Sequence, residues 1–154
     1  MNNSMTRRVL LGAAAILPLV ESQTQARAQA GNWLVTSQEA ALPLSPTSKA
    51  GRAITRGPAI RQVSPAGPVA PNTPFALQIE FAARGGEKID PATAQVLVLR
   101  GNNVNITQRV RAYITPTGIV IPDAMVAPGT HALQVTVSDS GGRQSIANIE
   151  IEAR

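Results

Sequence analysis

One segment near the carboxyl end restricts the fold more than any other part of the chain. Between Gly129 and Asp139, apolar and polar side chains alternate with a period of two, which is the pattern of a β-strand with one buried and one solvated face. Turn residues stand before and after this segment, so the chain reverses at both ends. Because such a strand must bury its apolar face, it requires neighbouring strands and a second layer. The predicted inner face consists of His131, Leu133, Val135 and Val137.

The same pattern recurs in short segments from residue 58 onward, separated by glycine- and proline-rich turns. The segment from Ile89 to Thr93 predicts one helical turn or a tight corner, with Asp90 as the cap and Pro91 at the first helical position. About seven or eight strands in just under 100 residues predict an all-β fold, an antiparallel immunoglobulin-like β-sandwich of about seven strands at residues 58–154. The predicted strand segments cover residues 59–63, 74–83, 95–100, 104–107, 109–115, 119–121, 129–139 and 144–152, with a corner at 122–127.

Composition excludes several classes of function. The chain has no cysteine, which rules out disulfides, thiol catalysis and cysteine-ligated zinc or iron–sulfur sites. The first 30 residues hold three arginines and one glutamate, so a chain beginning at Gly31 keeps 11 basic and 8 acidic residues, a net charge of +3. This charge is low for a nucleic-acid-binding domain, and four aromatic residues offer little surface for base stacking. We therefore expect no nucleic-acid partner.

Residues 1–30 have the features of a signal peptide. Arg7 and Arg8 precede an apolar run at residues 9–20, and Ala28 and Ala30 form an A-x-A cleavage site before Gly31. The arginine pair resembles a twin-arginine export signal, and ordinary secretion is the alternative. The apolar run is too short to span a bilayer as a helix. We expect a periplasmic or extracellular bacterial protein with no stable membrane insertion after cleavage.

Residues 31–57 show no clear periodicity and predict a flexible linker or leader between the signal peptide and the domain. Trp33 is unusual in such a segment; it either packs loosely against the domain or docks on a partner. Basic residues without nearby acids predict either a solvated tether or a contact with an anionic polymer or membrane surface. These basic residues are Lys49, Arg52, Arg56 and Arg61.

Two motifs resemble those of bacterial immunoglobulin-like and fibronectin-III-like exported modules. The first is Ile89-Asp90-Pro91-Ala92-Thr93 before a strand. The second begins at Pro128-Gly129-Thr130-His131, continues through the alternating strand and ends at Gly142, with Val126 where leucine is usual. The resemblance covers residues 58–154. It implies an exported, non-enzymatic binding or structural module that contacts another protein or a cell-envelope polymer, although such a fold by itself fixes no function.

A second resemblance is to small periplasmic copper-binding sandwiches. Val63-Ser64-Pro65-Ala66 is similar to the start of their first strand. It implies an alternative function, a periplasmic metal carrier or accessory protein for copper with a copper-resistance-protein-like sandwich. The sequence departs from that family because the predicted mature chain begins with Gly31 rather than histidine, and no Asp-Gly-His follows the late strand. Since these ligands are missing, we expect no cofactor.

Few residues offer catalytic or metal-binding chemistry. His131 is the only histidine; we expect a structural role at a strand corner, the alternatives being a metal ligand or a general base in a triad. Glu150 and Glu152 share an outward face, where a catalytic pair would also need a cleft, so we expect no enzyme. Three aspartates at strand ends could gather around Ca²⁺ or serve turns and caps. They are Asp90, Asp123 and Asp139.

One predicted strand carries the candidate binding face. In residues 109–115, Arg109, Arg111 and Tyr113 are predicted to point outward. Arginine and tyrosine are frequent interface anchors, so this face predicts an anionic partner, a protein or an envelope polymer. The alternative is a solvated sheet face with one incidental aromatic side chain.

Overall fold

The computed structural model describes residues 32–45 and 56–154. Two β-sheets pack face to face in this part of the chain, which confirms the predicted all-β sandwich. The strands are β1 (Asn32–Val35), β2 (Ala59–Ser64), β3 (Phe75–Ala82), β4 (Ile89–Val98), β5 (Val104–Asn105), β6 (Ile114–Thr115), β7 (Gly118–Val126), β8 (Gly129–Asp139) and β9 (Gln144–Ala153). The helices are α1 (Ser37–Ala40), α2 (Thr107–Val110) and a 3₁₀ turn at Arg111–Tyr113. None of these helices is long and apolar enough to cross a membrane.

The two sheets have different strand orders. The first sheet runs β1-β7-β3-β2, with β6 also paired to β7, and the second runs β5-β4-β8-β9. All pairings are antiparallel except that of β1 with β7, which is parallel. Strands β2 and β9 therefore form edges of the two sheets, and they are neighbours across the sandwich.

Strand β8 lies at the centre of the core, as its alternation predicts. Its four predicted inner side chains are fully buried. Side chains from the opposing sheet and from the neighbouring strand cover them, and the whole set forms one apolar cluster. The main contributors are Leu77, Ile79, Phe81, Ile119, Ile121, Ile149 and Ile151.

The segment predicted as a linker belongs in part to the sandwich. Asn32–Val35 pairs with β7, and Leu34 and Val35 are buried in the core. Trp33 is half-buried opposite Met125. This part of the linker prediction is wrong, because a strand of four residues is too short to show a period in the sequence. Lys49 and Arg52 lie outside the described residues, as do Arg7, Arg8, Ala28 and Ala30.

The helical turn predicted at residues 89–93 is wrong. These residues belong to β4, whose pairing with β8 is irregular between Asp90 and Gln95. The Asp90 carboxylate accepts a hydrogen bond from the Ala92 amide at 2.9 Å, and the Thr93 hydroxyl donates to the Asp90 carbonyl at 2.7 Å. Hydrogen bonds of this kind can cap a helix. Here they stabilise the irregular part of β4 instead.

The strand predicted at residues 109–115 is also wrong. This stretch forms the end of α2, the 3₁₀ turn and the short strand β6. Ile106 and Val110 are both buried, and their spacing of four residues places them on one face of a helical turn. A short alternating pattern cannot distinguish this arrangement from a strand, and the packing of these two side chains decides in favour of the helix.

Strand β7 continues through the corner predicted at residues 122–127. The register between β3 and β7 shifts between the pair Leu77–Ile121 and the pair Phe75–Ala124. Pro122 lies at this bulge, where a residue without an amide hydrogen is tolerated. The strand therefore passes the proline and continues to Val126.

Candidate binding surface

The edges of the two sheets differ in how well they are covered. At β1, the Arg109 guanidinium donates to the carbonyls of Trp33 and Leu34, at 3.1 Å in both cases. In the second sheet, β5 pairs with the last two residues of β4, and Leu44 forms a bridge with Arg100 just after that strand. An uncovered edge presents unpaired main-chain groups that can accept another strand. The side formed by β2 and β9 has few main-chain contacts from other described segments.

Strand β9 has one paired and one largely unpaired edge. It pairs with β8 over its whole length without a register shift. On its other side, the Val69 amide donates to the Glu152 carbonyl at 2.9 Å, and the Arg154 amide donates to the Val69 carbonyl at 3.1 Å. Among the described residues, no other main-chain group from a loop bonds to this edge. Val69 therefore covers only the carboxyl end of the strand.

In the described part of the chain, no main-chain group pairs with the remaining part of this edge. Since consecutive residues of a strand direct their amide and carbonyl groups to opposite sides, Ile146, Asn148 and Glu150 direct theirs to the same side as Glu152, away from β8. These three residues form a short, unpaired ladder at the surface of the sandwich.

A shallow groove with an open volume of about 400 Å³ lies beside the carboxyl end of this ladder. The wall from β2 and the following turn includes Val63, which is 42% exposed, and two prolines. The opposite wall carries the carboxylates of Glu150 and Glu152. The lining residues are Gln62, Val63, Pro65, Ala66, Gly67, Pro68, Glu150 and Glu152.

A second depression of about 240 Å³ lies at the amino end of the ladder. It contains Ile146, an apolar side chain on the outward face of β9 that is 47% exposed. Arg84 is the charged residue at this end. The hydroxyl of Ser145 is buried nearby and has no hydrogen-bond partner in the described structure. We call the two depressions and the free ladder of Ile146, Asn148 and Glu150 the edge groove.

The carboxyl end of the edge groove is anionic. Glu152 pairs with Arg154 at 3.2 Å, with both side chains largely exposed. Glu150 is exposed, faces Ala132 on β8 and has no ion-pair partner among the described residues. The predicted outward position of both glutamates is confirmed. A cationic group entering the groove would meet one unpaired carboxylate and one that is weakly held.

Arg109, one of the predicted binding residues, contacts other parts of the domain. Its guanidinium forms a two-point ion pair with the Glu39 carboxylate at 2.7 and 3.1 Å. The hydrogen bond from Arg109 lowers the pKa of Glu39 below its ordinary value of 4.5, while partial burial opposes this shift and hydrogen bonds to Thr36 add to it. Arg109 therefore attaches the β1–α1 segment to α2 instead of presenting its charge on a strand face.

Tyr113 and Arg111 have different surroundings from Arg109. Tyr113 is half-buried and packs against the core. Arg111 is exposed and lines a separate depression with Gln95 and Asn105. The predicted arrangement of the three side chains on one strand face is wrong because residues 109–113 are helical, and binding at Arg109, Arg111 and Tyr113 stays a prediction.

His131 has the corner position expected of a structural residue. Its ring is fully buried, and Nε2 donates to the Ala127 carbonyl at 2.7 Å. Burial lowers the pKa of His131 below its ordinary value of 6.5, the charge of Arg100 lowers it further, and the hydrogen bond to Ala127 opposes the shift. Nδ1 is buried and has no hydrogen-bond partner among the described residues. Because the ring is enclosed, it is not presented to a substrate at the surface.

The three aspartates serve separate local structures. The Asp139 carboxylate accepts from the amides of Gly141 and Arg143 and from the Arg143 guanidinium, all at 2.9 to 3.0 Å. Burial raises the pKa of Asp139, but the hydrogen bonds and ion pair with Arg143 outweigh it, so the net pKa lies below the ordinary 3.8. Asp123 accepts from the side-chain amide of Asn32, and Asp90 holds the irregular part of β4. The turn and capping role is confirmed for Asp90 and Asp139, and the alternative, a calcium site formed by all three, is not found among the described residues.

Within residues 32–45 and 56–154, no group of three or more histidine, cysteine, aspartate or glutamate side chains could hold a metal ion. The copper-carrier alternative stays a prediction. The motif that suggested it, Val63-Ser64-Pro65-Ala66, forms the end of β2 and part of the edge-groove wall.

Reasoning from the sequence missed the edge groove. The available signal was Ile146, an apolar residue at the polar positions of β9, where its neighbours on that face are Asn148 and Glu150. The sequence does not show which strand has an unpaired edge, so Ile146 alone could not locate the groove.

Comparison with known proteins gives limited information. No family model matches the chain, and the search of curated proteins gave no match. Among solved structures, the chain is similar to CopC from Methylosinus trichosporium OB3b, with a TM-score of 0.41 and 13% sequence identity over 62% of this chain and 92% of that chain. At this level of similarity, no function is transferred.

Proposed function

We propose that this chain is an exported, non-enzymatic β-sandwich module of immunoglobulin-like type that binds another protein through the edge groove. One observation carries the proposal: among the described residues, no main-chain group pairs with the outer edge of β9 at Ile146, Asn148 and Glu150, and this edge lies beside a groove that includes the exposed Val63.

A polypeptide partner fits this surface better than an anionic polymer. The free amides and carbonyls of β9 repeat at the spacing of a β-ladder, which the main chain of another protein can match by adding a strand. Glu150 and Glu152 place negative charge at the groove, which opposes an anionic polymer. The apolar contribution would come from covering Val63 and Ile146.

The export part of the proposal is supported by the twin-arginine-like pair Arg7-Arg8 and the Ala28-x-Ala30 cleavage site. The non-enzymatic part is supported by the enclosed position of His131 and by the separate turn-holding roles of Asp90 and Asp139.

Site-specific photo-crosslinking in the source bacterium tests the proposal. A photo-reactive amino acid replaces Ile146, and in a matched variant it replaces Val120, which is 51% exposed on β7 of the other sheet. We expect a discrete crosslinked protein adduct from position 146 and none from position 120. The proposal is wrong if position 146 gives no adduct, or if both positions give the same adducts.

A further inference from the structure

The geometry points to one class of ligand for the edge groove: an extended segment of another protein that adds to β9 as a new strand and carries a lysine or arginine four positions from an apolar residue. This inference rests on the proposed function and specifies the chemistry of the partner.

The spacing follows from the free ladder. Ile146 and Glu150 are four residues apart on an extended strand, about 14 Å. In a paired strand, the side chains of directly opposite residues lie on the same face. Ligand residues opposite Ile146 and Glu150 are therefore also four positions apart and on one face. The Val69 amide already bonds to the Glu152 carbonyl, so an added strand can pair with β9 only at Ile146–Glu150.

Charge determines which end of the groove takes the basic residue. Glu150 has no ion-pair partner among the described residues, and Glu152 is beside it in the same groove. A lysine or arginine opposite Glu150 lies on the same outward face and can direct its charged group to the carboxylates. At the other end, Arg84 would repel a cation.

The other ligand position takes an apolar residue. Ile146 is largely exposed, and the depression around it also contains Ile60 and Ala147. A branched apolar side chain placed opposite Ile146 removes this surface from water. The two positions together fix the register, because a shift of one residue would move both ligand side chains to the other face.

A defined peptide tests the inference with the exported full chain. The probes are Ac-Thr-Ile-Thr-Val-Thr-Lys-Thr-NH₂ for a parallel strand and the reversed sequence Ac-Thr-Lys-Thr-Val-Thr-Ile-Thr-NH₂ for an antiparallel strand; in both, isoleucine and lysine are four positions apart. We expect saturable binding by NMR titration, with amide shifts concentrated on β9, and affinity that falls as salt rises. A peptide with glutamate in place of lysine should bind about fivefold to tenfold more weakly. A peptide N-methylated at alternate residues cannot form the ladder and should not bind.

Protein variants separate the charge contribution from the main-chain contribution. Glu150→Gln should weaken binding of the lysine peptide about threefold to fivefold, whereas Asp123→Asn, which removes an exposed carboxylate from the other sheet, should not. Glu150→Lys should reverse the preference in favour of the glutamate peptide. Asn148→Pro removes an amide that points away from β8, so it should abolish binding while the sandwich stays folded.

The outcomes distinguish this inference from the proposed function. Equal binding of the lysine and glutamate peptides, equal effects of Glu150→Gln and Asp123→Asn, or binding of the N-methylated peptide would overturn the inference. If Asn148→Pro does not fold, the N-methylated peptide supplies the same test of the main-chain contribution from the ligand side. If no peptide binds while position 146 still crosslinks to a protein, the proposed function stands and this ligand class is wrong.

Discussion

Arg109 and Glu39, 70 residues apart in the sequence, form a two-point ion pair at 2.7 and 3.1 Å. The same guanidinium donates to two carbonyls of β1. This contact fixes a segment that has little local reason to be ordered, since β1 and α1 contain four residues each. The Thr36 side chain and the Glu39 side chain also cap each other's backbone amides at the start of α1.

Removing this contact should loosen the amino-terminal strand. We expect Arg109→Ala to lower the free energy of unfolding by about 1–2 kcal/mol, because hydrogen bonds to a partly buried carboxylate are lost and two carbonyls lose their donor. The matched control is Arg111→Ala, which removes an exposed arginine from the neighbouring 3₁₀ turn and should change stability by less than about 0.5 kcal/mol. Denaturant unfolding measures both variants, and equal losses would contradict a special role for Arg109.

Burial of His131 makes the stability of the domain depend on pH. The pKa of His131 is lowered in the folded state, so below an unfolded value of about 6.5 the unfolded chain binds more protons. Stability should therefore fall as the pH drops below about 6.5, by at most about 1.4 kcal/mol per pH unit from this group. Unfolding measured between about pH 7 and pH 5 tests this, with His131→Gln as the variant that should lose the slope. If the free energy of unfolding of His131→Gln depends on pH as it does in the wild-type protein, other titrating groups cause this dependence.

The parity of β8 predicts a large difference between two adjacent residues. Leu133 is fully buried, whereas Gln134 lies on the outer face and bonds to Asn148 on β9. We expect Leu133→Ala to cost about 2–5 kcal/mol, because it leaves a cavity in the core. Gln134→Ala should cost about 0.5 kcal/mol or less. Thermal or denaturant unfolding measures the stability of both variants. Similar losses in the free energy of unfolding would contradict the assignment of inner and outer positions in β8.

The export route can be tested at residues outside the described structure. Replacement of Arg7 and Arg8 by lysine keeps the positive charge but removes the arginine pair that the twin-arginine route requires. We expect the double variant to accumulate unprocessed in the cytoplasm. Normal export of this variant, with cleavage before Gly31 shown by mass spectrometry, would favour ordinary secretion instead.

How much the sequence can predict depends on the length of each pattern. The alternation in β8 extends over 11 residues, so the inner positions of His131 and Val137 follow directly from it. Around Arg109 the sequence wrongly predicts a strand, because Ile106 and Val110 are too few to establish a helical period. The ion pair with Glu39 and the free edge of β9 depend on how distant segments meet, and no local pattern contains that information.

The position of β1 has a consequence for processing. Asn32 pairs with Ala124, and it would be the second residue of a chain cleaved before Gly31. A peptidase must hold the chain on both sides of the bond that it cuts, so Asn32 cannot occupy the enzyme and the sheet edge at once. If cleavage falls before Gly31, the peptidase cannot cut this bond while β1 is paired with β7. Strand β1 then joins the sheet only after the leader has been released.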